Sequence, residues 1–125
     1  MIPRATPLGL VASLLSAALL GGCQRVSAYL PGLDEEAARG RRLAEHYGCA
    51  ACHEVPGAAT SGFVGPSMRG IQRRAYLAGG LPNTPETLVE WIRFPERVRP
   101  GTLMPNLRVS EQDGRDLAAF LYTLR

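Results

Sequence analysis

The stretch Cys49-Ala50-Ala51-Cys52-His53 constrains this chain more than any other. It holds two of the three cysteines and one of the two histidines within five residues. Two thiols spaced by two residues, followed at once by an imidazole, are set up to grip something other than protein. A redox dithiol of the C-x-x-C type belongs beside a βαβ pattern, and no convincing alternating strand occurs in this chain. A closed structural zinc site takes four ligands. Cys49, Cys52, His53 and His46 could supply them, but His53 follows Cys52 directly and lacks finger-like spacing.

The length of 125 residues allows one domain. With 46 % apolar and 20 % charged residues, the composition is that of an ordinary globular chain. The net charge of +3 comes from arginine, since there is no lysine. No block of like charge suggests a nucleic-acid arm. Residues 1–22 read apart from the domain. Arg4 precedes the apolar run LGLVASLLSAALL, Leu8 to Leu20. That run is short of the ~20 residues a membrane-spanning helix needs and suits an export signal. The following Gly21-Gly22-Cys23 resembles the lipobox of bacterial lipoproteins, which implies cleavage before Cys23 and its lipidation. An odd thiol in an exported chain needs such an explanation, and several acyl chains would make the anchoring stable. Residues 23–33 then form a lipidated cysteine and a tether, whose ten residues after Cys23 span ~35 Å when extended.

From position 34 the chain reads as helices separated by long loops. Asp34 is placed to cap a helix running to about Tyr47, with Glu35 and Glu36 at the positive end of its dipole. Gly40 in its middle costs about 1 kcal/mol of propensity and signals a close approach by another element. Glu54 to Gly70 is loop, and a short helix is expected around Ser67 to Tyr76. Thr84 caps another helix, with Pro85 in its first turn, Leu88, Trp91 and Ile92 on its apolar face, and an end before Pro95. Arg97 to Arg108 reads as extended or turning. Ser110 caps the last helix with Asp113 as a capping-box-like partner, and Leu117, Phe120, Leu121 and Leu124 form its apolar stripe. The fold class is all-α. Loops this long need something to wrap.

The remaining reading of CAACH accounts for all its fixed positions. C-x-x-C-H is the attachment signature of c-type haem: two thiols add across the two vinyl groups and the next imidazole faces the iron. On this motif, with Gly65-Pro66-Ser67-Met68-Arg69-Gly70-Ile71, Leu88-Val89-Glu90-Trp91-Ile92, Pro100-Gly101-Thr102-Leu103-Met104-Pro105 and Asp116-Leu117-Ala118-Ala119-Phe120-Leu121, residues 34–125 resemble a monohaem class I cytochrome c. The resemblance implies three to five helices with long loops around one covalent haem. It implies thioethers at Cys49 and Cys52, His53 as proximal iron ligand, Met104 as distal ligand, and a Pro66 carbonyl bonded to the other ring nitrogen of His53. It also gives Gly40 a reason, an approach by Phe120. Tyr76 and Trp91 are candidates for the haem surroundings, and Asn83 for a propionate contact. Met68 reads as packing and His46 as a surface residue.

The resemblance of Thr84 to Arg125 to the cytochrome domain of some haem–copper oxidase subunits II implies a respiratory electron carrier delivering to a terminal oxidase. An upstream reductase or dehydrogenase would then be its donor. Alternatives are the cytochrome subunit of a periplasmic dehydrogenase complex, or a ligand-binding haem sensor or peroxidase-like protein with an open sixth position. The expected location is the periplasmic face of a bacterial membrane, through the lipid anchor. Arg69, Arg73, Arg74, Arg93, Arg97, Arg99 and Arg108 would supply a basic collar for an acidic partner.

Overall fold

Gly40 fixes how the two longest helices meet. In the computed structural model, which describes residues 33–125, helix α1 spans Leu33–His46 and the C-terminal helix α4 spans Glu111–Leu121. The expected export signal, residues 1–22, with Cys23 and the expected tether as far as residue 32, lies outside the described residues; Leu33, expected to end the tether, and Asp34, expected to cap the helix, both fall within α1. Gly40 is buried on the face of α1 that crosses α4. A Cβ there would lie 1.9 Å from the Asp116 carbonyl oxygen and 2.7 Å from Phe120 Cβ. Phe120 is therefore the neighbour expected, but the backbone of Asp116 comes closer still.

Polar brackets hold the same crossing in register. Arg39 donates through Nε to Asp116 Oδ2 at 2.8 Å and through a terminal nitrogen to Oδ1 at 3.1 Å. Asp116 is 2 % exposed, and the Arg39 guanidinium holds its carboxyl below the usual carboxylate range. Tyr47, just past the end of α1, donates its hydroxyl to Asp113 Oδ2 at 2.7 Å. The Ser110 hydroxyl accepts from the Asp113 N–H at 3.1 Å, as a cap should. The capping-box expectation fails on its second half, since Tyr47 takes the Asp113 carboxylate.

Between these helices lie α2, Pro85–Arg93, and the one-turn helix α3, Pro95–Val98. Thr84 caps α2 by accepting from the Thr87 N–H at 3.2 Å. Phe94 separates the two helices with φ −136° and ψ 56°, because a residue before proline is driven out of helical geometry. Pro95 then starts α3, a position where its missing N–H does no harm. The extended stretch expected from Arg97 therefore begins only at Arg99. Leu88 and Ile92 of α2 bury against α4, where Leu117, Phe120 and Leu121 close the core.

The long loop from Cys52 to Thr84 adds Val55, Ile71 and Leu77 to that core. The helix expected near Ser67 to Tyr76 is only a single 3-10 turn, Ile71–Arg73. A two-residue antiparallel hairpin follows, β1 Tyr76–Leu77 with β2 Leu81–Pro82, pairing Tyr76 with Pro82 and Leu77 with Leu81. Two-residue strands carry too little sequence for a period-2 signal. Asn83 braces the region: its amide donates to the carbonyls of Ile71 and Arg74, at 2.8 Å each, and its oxygen accepts from the Tyr122 hydroxyl at 2.8 Å.

Candidate functional site

The sequence ends α1 in a way that presents the motif. After Tyr47, Gly48 takes φ 68°, a left-handed value that glycine tolerates best. The chain then tightens into a 3-10 turn, Cys49–Ala51. The N–H groups of Cys52 and His53 both donate to the Cys49 carbonyl, at 3.3 and 3.0 Å. Cys49 and Cys52 thus share one turn with His53. Both are free, half-buried thiols, and burial pushes the Cys49 thiol up.

The next loop folds back under His53. His53 Nδ1 lies 2.7 Å from the Pro66 carbonyl oxygen. A carbonyl only accepts, so Nδ1 carries the proton and Nε2 keeps its lone pair for a metal. Gly65 makes the approach possible: a Cβ there would lie 2.2 Å from His53 Cε1. Gly62 is equally tight, since a Cβ would meet the Ala51 carbonyl oxygen at 2.3 Å. Backbone bonds from Gly62 to Ala50, from Gly65 to Cys52 and from Met68 to Glu54, at 2.8–2.9 Å, fasten the loop to the motif. Glu54 adds an ion pair with Arg69 at 3.1 Å. Its carboxyl is held below the usual range by the Ser67 hydroxyl and then by Arg69.

Met104 lies on the second long loop and is half-buried against the core. Its N–H donates to the Thr102 hydroxyl at 3.2 Å, after a turn in which Gly101 takes φ 80°. Met68 and Trp91 also pack against the core. Tyr76, by contrast, is 65 % exposed on β1. His46 is exposed, with its ring edge-on to Tyr47. Among the described residues no three His, Cys, Asp or Glu side chains gather to hold a metal ion.

These residues fit a covalent haem. Two thiols and one imidazole nitrogen share one turn, and the Met104 thioether stands on a separate loop. The loops carrying Pro66 and Met104 also display Phe63, Val64, Leu103 and Leu107 as exposed large apolar side chains, surface that an apolar group could cover. Sequence reasoning missed the Glu54–Arg69 pair and the reasons for Gly62 and Gly65. The signal was present in a carboxylate adjoining His53 and an arginine just after the glycine-proline pair.

The family model described as cytochrome c matches residues 37–125. Over 88 residues the chain is 37 % identical to a protein of Alkalihalophilus pseudofirmus named cytochrome c oxidase subunit 2. That stretch is 70 % of this chain and 25 % of the relative, so the chain spans about a quarter of the relative's length.

Proposed function

The chain belongs to the cytochrome c family, and from that premise we propose that it is a membrane-tethered electron carrier holding one covalent haem and delivering to a terminal oxidase. Family membership implies haem c and electron transfer. When bound, the haem supplies a one-electron Fe(II)/Fe(III) couple. In this reading Cys49 and Cys52 hold it by thioethers, His53 Nε2 is the proximal ligand and Met104 sulfur the distal one. The observation that carries the assignment is the 2.7 Å contact of His53 Nδ1 with Pro66, on the same turn as both thiols. That contact fixes the tautomer and raises the ligand's basicity.

A Met104 thioether on the iron would raise its potential, which suits a one-electron carrier. Arginines on the two loops give an acidic partner a basic surface. Lipidation of Cys23 would keep the domain at the periplasmic face of a bacterial membrane, within reach of a donor and an acceptor there. The oxidase assignment is supported by the relative named as an oxidase subunit. It is tested by mixing reduced holoprotein with purified haem–copper oxidase under oxygen. Rapid oxidation of the haem band, with oxygen uptake in proportion, is expected. A protein that stays reduced there, yet is readily reduced by a periplasmic dehydrogenase, would place it in a dehydrogenase complex instead.

A further inference from the structure

Pro66 must stay within reach of His53, yet it stands in a stretch from Glu54 to Gly70 that has neither helix nor strand. The loop is pinned on both sides of it. Upstream, the Gly65 N–H donates to the Cys52 carbonyl at 2.8 Å. Downstream, the Met68 N–H donates to the Glu54 carbonyl at 2.8 Å. The Glu54 side chain extends the downstream pin. It accepts from the Arg69 guanidinium at 3.1 Å. The Ser67 oxygen in turn accepts from the Arg69 N–H at 3.1 Å. One carboxylate, on the residue next to His53, therefore grips Arg69, three residues after Pro66, and Arg69 in turn holds Ser67, directly after it.

We propose that Glu54 and Arg69 are positioning residues, whose ion pair holds the Pro66 carbonyl on His53 Nδ1 and so sets the donor strength of the proximal ligand. This rests on the haem assignment above. Such exposed pairs add little to stability; here the effect lies in geometry. A firm Nδ1–H bond makes the imidazole a stronger donor, and a stronger donor favours Fe(III). A looser bond raises the reduction potential.

The sign of the effect separates positioning from simple charge. By field alone, losing the Glu54 negative charge raises the potential and losing the Arg69 positive charge lowers it. By positioning, both losses raise it. The test uses holoprotein carrying Glu54→Gln, Arg69→Gln, Arg69→Lys, or the exchange Glu54→Arg with Arg69→Glu. The potential is titrated on the haem spectrum. Exchange of the His53 Nδ1 proton is followed by NMR in the reduced state. Both Gln variants are expected to raise the potential and to speed that exchange about two- to fivefold, the span of an exposed ion pair. Arg69→Lys and the charge exchange are expected to restore both readouts in part. Opposite signs for the two Gln variants overturn the proposal, as do unchanged potential and exchange in both. Absence of covalent haem from the parent protein would sink the haem assignment itself; haem present with either pattern above sinks the clasp alone.

Discussion

Replacing Gly40 by alanine sets two known effects against each other. Alanine gains about 1 kcal/mol of helix propensity over glycine in mid-helix. Position 40 lies inside α1, so an isolated helix would be stabilised. In the folded protein the new methyl would meet the Asp116 carbonyl oxygen at 1.9 Å, its carbon at 2.5 Å and Phe120 Cβ at 2.7 Å. Two of these atoms are backbone and the third is fixed to it, so no side chain can swing aside. Reaching ordinary contact near 3.5 Å requires the helices to part by roughly 1–2 Å. That separation disturbs the Arg39–Asp116 hydrogen bonds of 2.8 and 3.1 Å and thins the contacts around Leu117 and Phe120. Overpacking of this kind costs about 1–3 kcal/mol, and the rigid backbone places Gly40 at or above the top of that span. After the propensity gain, Gly40→Ala is expected to destabilise by about 2 kcal/mol or more, lowering the midpoint by at least about 8–16 °C for a domain of this size. The assay is thermal and urea unfolding of holoprotein followed by far-UV circular dichroism. Ala38→Gly, at an exposed site on the same helix, serves as the propensity control and should cost about 1 kcal/mol. A Gly40→Ala protein more stable than the parent would refute the close crossing.

Three further expectations follow from the geometry. The folded carboxyl of Asp116 is depressed by Arg39, so its contribution is present above the unfolded carboxylate pKa and is lost as pH falls through the folded value. Asp116→Asn should lower stability at pH 7 and flatten this acid-side decline; an unchanged pH–stability curve would contradict it. Thr84→Ala removes the acceptor for the Thr87 N–H and should cost about 1 kcal/mol in urea unfolding, whereas no change would mean the cap is not formed in solution. Cys23→Ser should move the protein from the membrane to the soluble fraction on cell fractionation; retention in the membrane would end the lipid-anchor reading.

What the sequence revealed depended on how local each signal was. The caps at Thr84 and Ser110, the Pro85 start and the apolar stripe on α4 are contained within a turn or two, so they could be read directly. Gly40 carried a long-range message because a glycine in mid-helix needs an external cause. The loops were harder. Asn83 was expected near a propionate, yet its amide ties together two carbonyls and the Tyr122 hydroxyl. Nothing near it in sequence names Tyr122. Asp113 similarly serves Tyr47, 66 residues away, and not its own helix end. At the site, the motif named His53, but the roles of Gly62 and Gly65 appear only once the loop has folded back onto it. Tyr76, a candidate for the haem surroundings, is 65 % exposed on a two-residue strand, a setting that no local pattern announces.

The central claim is a haem iron closed by His53 and Met104. Its most direct test is the visible spectrum of the reduced, purified protein before and after carbon monoxide, with Met104→Ala run alongside. The account predicts a c-type spectrum that carbon monoxide leaves unchanged in the parent and shifts in the variant. A parent spectrum that carbon monoxide shifts at once would mean an open iron site, and a ligand-binding or peroxidase-like protein in place of an electron carrier.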